Sequence, residues 1–471
     1  MKRFIRSKIL NFKIQRRIYE GMPQPLRNMI ACVPFHIVAG KHYREVMRRQ
    51  AYFDRAGRDD IHAYQEERLK NILNFAVDHV TAYKPYARSV RRYNAFDALR
   101  EFPPLEKEHL QKNLNAYLPD ILKEIPHYEC TTGGTSGNQL KFYVDNHSQS
   151  VETAFMHRQW KRVGYAPNCK KATFRGVDFS DLSSGVYWQS NPIYNELQFS
   201  PYHMSDSTMN AYWNKLCQYN PAFIHGYPSA ISLLARFLNS NHYDVSVLNI
   251  RAVLLGSENL FPDQRTLIES VFKTRVFSWY GHSERLILAG ECEETTDYHH
   301  FPDYGILEFL DDADQPVDTP GDYGELTGTG LLNYSLPLIR YKTGDRARLL
   351  DWNCKCGRAF DRFDNVQGRW HQEIVIGKHG AKISLAALNV HGDFFDHVVR
   401  YQYHQKKPGL LTIKMMVDDI YSSEDDFSIK QAYKRKLGDV LDISLEIVPD
   451  IPLTSRGKFR KLVQEIPDAG L

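Results

Sequence analysis

TTGGTSGNQLK, residues 131–141, places three glycines and four hydroxyl side chains in eleven positions. Glycine lets backbone N–H groups turn toward an anion without interference from a Cβ, and hydroxyls add further donors. The composition therefore suits a phosphate cradle. A kinase-type Walker loop ends in Gly-Lys-Ser/Thr, whereas Gly137 is followed by Asn138 and Gln139, so that reading fails. The same composition is compatible with a plain flexible turn. What separates the two lies in the rest of the chain.

At 471 residues the chain is too long for one compact core, and two or three domains are expected. A hydrophobic content of 42% and a charged content of 25% are those of an ordinary globular protein. No apolar run is long enough to span a membrane. IACVPFHIVAG, near the start, is interrupted by Pro34 and His36 and lacks a cleavage-like site, so no signal peptide and a cytoplasmic location are expected. The net charge of +4 hides an asymmetry: residues 1–50 hold 12 Lys or Arg against 2 Glu, leaving the remainder acidic. MKRFIRSKILNFKIQRRIYEGM can form a basic amphipathic helix with Phe4, Ile5, Ile9, Leu10 and Phe12 among the cations. Such a helix either packs on the main domain or rests on anionic lipid as a peripheral membrane contact. Nothing later in the chain reads as a nucleic-acid module, so no nucleic-acid partner is expected. Seven scattered cysteines argue against a disulfide framework, and the close pair Cys354 and Cys356 stands out.

Residues 1 to about 125 read as mostly helical. In DDIHAYQEERLKNILNFAVDHV the residues Leu69, Ile72, Leu73, Phe75 and Ala76 recur near the helical period. From there to about 350, apolar segments (AFIHG, RAVLLGSE, TRVFSWYG, YGILEFL and ATFRGVDFS) alternate with helical stretches such as SAISLLARFLNS and PDQRTLIESVFKT. The second of these helices opens on Pro262 and Asp263, good first-turn residues. The alternation predicts an α/β domain with a mostly parallel sheet. After GRW at 368–370 the texture changes to the strand candidates EIVIG, LLTIKMMV and LEIVP, with a charged helix around DDFSIKQAYKRKLGDVL. The expected organisation is a basic helical segment over 1–100, an α/β domain over 101–367 and a small α+β lid over 368–471.

Four further stretches follow the glycine-rich one in order: GSE at 256–258, YGHSE at 280–284, YKTGD at 341–345 and PLTSRGKFRK at 452–461. Together the five resemble the adenylate-forming superfamily, and within it the phenylacetate-CoA ligase-like branch, particularly its CapK-like members from capsule and surface-polysaccharide gene clusters. The resemblance runs from about residue 100 to the C-terminus, and the basic N-terminal segment also looks like that subgroup. It implies that Thr132, Gly134, Thr135, Ser136 and Gly137 close over the β- and γ-phosphates of ATP. Gln139 stands where relatives often carry proline. Ser257 and Glu258 match the segment lining the adenine. In YGHSE, Tyr280 and the following Gly281 would meet the adenine, Ser283 the α-phosphate, and Glu284 would hold Mg²⁺. Asp345 would accept hydrogen bonds from the ribose hydroxyls, which a carboxylate can do in pairs. Arg369 resembles an arginine that reaches the nucleotide beside a hinge at 371–373. Lys458 matches the catalytic lysine, whose work would be electrostatic, at the α-phosphoryl group.

GYPS at 226–229 lacks the second glycine of a nucleophile elbow and is expected as a strand-to-helix turn near the acyl pocket. The one-residue spacer of Cys354 and Cys356 is short for a zinc pair alone. Some relatives combine such a pair with an earlier cysteine and a histidine. GECEETTDYHHF supplies Cys292 and His299 or His300, with His299 preferred by the family register, and the set would close a structural zinc site.

The resemblance thus implies an enzyme that uses ATP and Mg²⁺ to convert a small carboxylic acid to an acyl-adenylate, releasing pyrophosphate. The acyl group would then pass to a thiol such as that of coenzyme A, or to an amine on a sugar. A non-catalytic nucleotide-binding scaffold is the alternative from another class, and the joint presence of Glu284, Asp345 and Lys458 speaks against it.

Overall fold

A computed structural model describes residues 18–131, 140–176, 185–367, 374–388, 390, 393–451 and 461–466. Thr132, Gly134, Thr135, Ser136, Gly137, Arg369 and Lys458 lie outside the described residues. The chain divides into two compact units. One comprises Met1–Cys130, Lys141–Pro167 and Phe277–Arg369, and the other Thr131–Leu140, Asn168–Val276 and Trp370–Leu471.

Strands β1 (His127–Thr131) and β2 (Lys141–Asp145) form a two-stranded ribbon that brackets the glycine-rich stretch. Lys141 lies 3.3 Å from Glu129, which makes it a cross-strand ion-pair partner at the foot of that stretch. Asp145, buried at the end of β2, accepts the backbone N–H groups of Tyr334 (3.2 Å) and Ser335 (2.8 Å).

In the second unit, β3 (Lys171–Phe174), β4 (Trp188–Asn191), β5 (Glu196–Phe199), β6 (Phe223–Gly226) and β7 (Ala252–Leu255) follow in sequence. They are ordered β4-β5-β3-β6-β7 and are parallel except for β4. Every residue of β3, β6 and β7 is buried, as expected of strands covered on both faces, which is why KATF, FIHG and AVLL do not alternate. The expected helices appear at Pro228–Ser240 and Pro262–Phe272, each with proline in its first turn.

In the first unit, β8 (Val276–Gly281), β9 (Leu288–Gly290), β10 (Tyr298–His300), β11 (Gly305–Leu310), β12 (Tyr323–Gly330), β13 (Tyr341–Leu350) and β14 (Arg362–Gln367) pair antiparallel throughout, in the order β11-β12-β13-β14-β10-β9-β8. The α/β architecture is as expected, but the sheet strands are mixed rather than mostly parallel. Short buried strands look alike in both settings. What differs is the connection: the chain between β8 and β9 covers only residues 282–287, far too little for the crossover a parallel pair needs. The helix Arg58–His79 buries Ile61, Gln65, Leu69, Ile72, Leu73, Ala76 and Val77, one stripe at helical spacing, with Asp59 and Asp60 in its first turn.

The C-terminal part of the second unit holds the two-stranded pair β15 (Ile374–Ile376) and β16 (Lys382–Ser384) and a four-stranded sheet. That sheet comprises β17 (Val398–Lys407), β18 (Leu410–Val417), β19 (Asp442–Ile447) and β20 (Leu462–Gln464), in the order β19-β18-β17-β20. Its helix, Ser423–Leu437, starts on a Ser422–Asp425 capping box, with Glu424, Asp425 and Asp426 in the first turn and Lys434, Arg435 and Lys436 in the last. This charge order matches the helix dipole at both ends.

Candidate functional site

The two motifs YGHSE and YKTGD meet in the first unit. YGHSE leaves the end of β8, and YKTGD opens β13, where the register against β12 shifts between Glu325 and Thr327. A bulge re-aims the residues it contains. Here Gly344 takes φ +78°, its N–H bonds Glu325 Oε1 at 3.0 Å, and Thr343 Oγ1 donates to Leu326 O at 2.8 Å. Asp345 is thereby turned toward β8, where the Tyr280 hydroxyl donates to its Oδ2 at 2.9 Å. Burial, and then the charge of Asp345, push the Tyr280 hydroxyl well above a tyrosine's ordinary pKa, so it stays a proton donor. Its ring stands edge-on to Phe363 at 5.6 Å.

Glu284 is the best-held carboxylate of the group. Tyr341 OH donates to Oε1 at 3.0 Å and His282 Nδ1 lies 3.2 Å from Oε2. Ile287 N–H donates to His282 Nε2 at 3.2 Å, which leaves Nδ1 to carry the hydrogen toward the carboxylate. Burial alone would raise the Glu284 carboxyl. The His282 hydrogen bond and charge, with Lys107 beyond, outweigh it and hold the group down at about 2. A carboxylate fixed by two donors and ionised at any physiological pH suits a hard divalent cation such as Mg²⁺. Ser283 is exposed in the turn between β8 and β9, and Gly281 closes β8.

Ser257 and Glu258 belong to the second unit, where they meet the GYPS turn. β6 ends at Gly226 and the helix begins at Pro228, so GYPS is the strand-to-helix turn expected of it. Glu258 Oε2 accepts the N–H of Ser229 (3.1 Å) in that helix's first turn, a favourable place for a carboxylate. Ser257 takes φ +68°, strained for a residue with a Cβ, and its Oγ accepts from Arg175 Nη2 at 2.6 Å.

Cys292, His299, Cys354 and Cys356 bring one ligand atom each to within 4.8 Å of one another. Cys292 and Cys354 sulfurs are 3.8 Å apart, and Cys356 Sγ lies 3.5 Å from His299 Nε2. Ligands about 2.3 Å from a tetrahedral zinc would stand roughly 3.8 Å from each other. The N–H groups of Glu294 and Thr295 point at Cys292 Sγ at 3.4 and 3.3 Å, which stabilises a thiolate. His299 Nδ1 lies 3.1 Å from Asp297 O, which fixes the tautomer that frees Nε2 for a metal. His300 is buried, and neither of its nitrogens has a hydrogen-bond partner among the described residues. The geometry therefore selects His299, and these four residues fit a structural zinc. Protein purified without chelator is expected to carry about one zinc per chain. Cys354→Ser is expected to lose the metal and about 3 kcal/mol or more of stability, read by metal analysis and denaturation. Folded wild-type protein essentially free of zinc would end the assignment.

Sequence reasoning singled out the motif residues but not their supports: His282 and Tyr341 lie inside motifs already quoted, whereas Arg175 and His225 lie in FRGVDFSDLSSGVYWQS and HGYPSA, stretches expected as a whole to build the acyl pocket. Lys461, three residues beyond Lys458, is buried, with Nζ 3.1 Å from the centre of the Tyr401 ring. Its carbonyl accepts the N–H of Tyr403 at 2.8 Å, which ties Lys461 to β17.

The fold is that of the adenylate-forming ligases. The chain superimposes on 2-hydroxyisobutyryl-CoA ligase in complex with 2-HIB-AMP and CoA in the thioesterification state, with a TM-score of 0.56, 16% identity, and 86% of this chain and 89% of that one covered. The same ligase in the postadenylation state with R3-HIB-AMP gives a TM-score of 0.53 at 17% identity over 85% and 88% of the two chains. Residues 375–465 match the CapK C-terminal domain family. The chain is 23% identical to Protein CapK of Staphylococcus aureus over 95% of its own length and 99% of that protein's. It is 24% identical to the phenylacetate-coenzyme A ligase of Escherichia coli K12 over 75% and 81% of the two chains. The resemblance carried by the motifs, to the phenylacetate-CoA ligase-like branch and its CapK-like members, thus holds across the chain.

Proposed function

We propose that this chain is an AMP-forming acid ligase that activates a small carboxylic acid with ATP and Mg²⁺ and passes the acyl group to the thiol of coenzyme A. A carboxylate oxygen forms a bond to the α-phosphorus, the bond to the bridging oxygen breaks, and pyrophosphate leaves with that electron pair. Bound Mg²⁺ would neutralise phosphate charge, and Glu284 is the residue to hold it. Asp345 would accept from the ribose, Tyr280 and Gly281 would meet the adenine, and Ser283 would meet the α-phosphate. Thr132, Gly134, Thr135, Ser136 and Gly137 would grip the leaving pyrophosphate, with Arg369 at the nucleotide. In the thiol step the segment 368–471 would swing as a lid from the 101–367 domain, withdrawing Lys458. The observation that carries the reading is the convergence of YGHSE and YKTGD on one another through the Tyr280–Asp345 and Tyr341–Glu284 hydrogen bonds. A setting in surface-polysaccharide biosynthesis is what the likeness to CapK suggests.

The test is acid-dependent exchange of labelled pyrophosphate into ATP over a panel of carboxylic acids, followed by thioester formation with coenzyme A. ATP binding without exchange for every acid would favour a scaffold. Exchange with acyl transfer to an amine but none to coenzyme A would favour the sugar-amine acceptor.

We also propose a peripheral membrane contact through the basic N-terminus. The helices Gln24–Ala31 and Phe35–Val38 bury no residue, and Leu26, Met29 and Ile37 are exposed, so cations and apolar side chains share this end of the chain. No helix among the described residues is long and apolar enough to cross a membrane. Deleting residues 1–20 is expected to lower binding to anionic vesicles about tenfold or more, since each basic residue near such a surface contributes about 1 kcal/mol. Pyrophosphate exchange should survive the deletion. Equal sedimentation of truncated and full-length protein with phosphatidylserine vesicles would refute the contact.

A further inference from the structure

In the second unit, three parallel strands deliver polar side chains from their carboxyl ends. Arg175 follows the last residue of β3, Tyr227 follows that of β6, and Ser257 lies two beyond β7. The chain leaving β3 goes on to β4 and β5 on one side, while the chain leaving β6 goes on to β7 on the other. Diverging connections open a crevice between β3 and β6, the place where open α/β sheets bind their ligands. Arg175 stands at that crevice, half-buried.

Its partners are neutral. Nη2 donates to Ser257 Oγ at 2.6 Å, Nη1 lies 3.4 Å from His225 Nε2, and the guanidinium sits 5.5 Å from the Tyr227 ring centre. His225 Nδ1 lies 2.9 Å from Leu254 O, and burial, with the charges of Arg175 and Lys171, holds this histidine well below its usual pKa. Buried Arg340 and half-buried Arg358, by contrast, are held by the carboxylates of Glu308 and Glu293. Among the described residues no carboxylate stands within ion-pair distance of Arg175. A half-buried guanidinium among neutral partners favours an anion beside it, and its planar fork matches a carboxylate. The surroundings are built closely: a Cβ on Gly176 would come within 2.4 Å of the Tyr202 hydroxyl, and Gly176 N–H lies 3.4 Å from Tyr227 OH.

We propose that Arg175 is a specificity-determining residue that takes a second carboxylate on the acid, so that the substrate class is a dicarboxylic acid or its close analogue. The proposal rests on the carboxylate-activating function above. The group bound is the non-reacting one, because a guanidinium forked onto the attacking carboxylate would draw charge from the nucleophile.

The experiment compares pyrophosphate exchange with size-matched pairs (succinate against butyrate, glutarate against pentanoate, 4-carboxyphenylacetate against 4-methylphenylacetate) in wild type, Arg175→Gln and Arg175→Lys. Wild type is expected to favour the dicarboxylate of at least one pair. Arg175→Gln should cut that ratio of kcat/KM values about 10- to 100-fold, mainly through KM, with partial recovery in Arg175→Lys. A wild-type preference for the monoacid of every pair, or an Arg175→Gln loss equal for both members, overturns the proposal. Calorimetric titration of the same dicarboxylates into both proteins without nucleotide separates the two readings. If no acid supports exchange, the activating function fails. Binding that Arg175→Gln abolishes would still support the anion site, and binding that is equal or absent would overturn it.

Discussion

Glu284→Gln is expected to lower acid-dependent pyrophosphate exchange by about 10²- to 10³-fold, the loss that follows when one preorganised electrostatic group is removed from a reaction that spreads charge over phosphate. Glutamine keeps the shape of the side chain and an oxygen for Tyr341 OH, 3.0 Å from Oε1 in the native protein, so the fold should tolerate it. What it removes is the charge, and with it the acceptor that Oε2 offers to His282 Nδ1. Raising Mg²⁺ should recover part of the activity if the loss lies in metal affinity. The carboxyl is held at about 2, below the value near 4.3 of an unfolded glutamate. Its contribution to stability is therefore present above that unfolded value and is lost as pH falls through the folded one, between about 4 and 2. Any fall in activity between pH 7 and 5 should consequently be the same in wild type and in Glu284→Gln. Undiminished exchange in Glu284→Gln at saturating ATP and millimolar Mg²⁺ would remove the residue from the site.

Lys458→Ala is expected to lower the same exchange by a comparable factor, about 10²- to 10³-fold, because the lysine would neutralise charge between two anions that must approach. Thioester formation from a preformed acyl-adenylate should be far less affected, since the lid would have carried Lys458 away by then. The pairing of outcomes matters: loss in both half-reactions would indicate a folding defect instead. Lys461 serves as the control. It is buried over the Tyr401 ring, so Lys461→Ala should lower stability before it alters the chemistry. Exchange that survives Lys458→Ala undiminished would sink the role of that lysine.

How far the sequence went differs by element. The helix at Arg58–His79 and those opening on Pro228 and Pro262 were legible because spacing and first-turn residues are local properties of the chain. The strand VVRYQYHQKK at Val398–Lys407 was not, since its charges dilute the apolar alternation, and it becomes a strand by lying between β18 and β20. Strand direction was hidden for a related reason: AVLL of β7 and VFSWYG of β8 carry similar apolar runs yet pair in opposite senses with their neighbours β6 and β9. Direction follows from what connects two strands, which no single run records.

The same division holds at the candidate sites. The ordered motifs alone carried the resemblance to the adenylate-forming ligases and named the candidate phosphate, ribose and metal residues and the set of cysteines, because each motif is a local arrangement of donors, acceptors and backbone freedom. Only the tertiary structure decided what those residues touch. It supported the preference for His299 over His300 by turning one ring into the cysteine cluster and burying the other without a hydrogen-bond partner among the described residues. It set Glu284 between Tyr341 and His282, which fixes its charge. It placed Arg175, a residue without a motif, at the mouth of the β3–β6 crevice among neutral neighbours. Contacts between residues far apart in the chain set burial and charge pairing, and a linear sequence carries no direct trace of either.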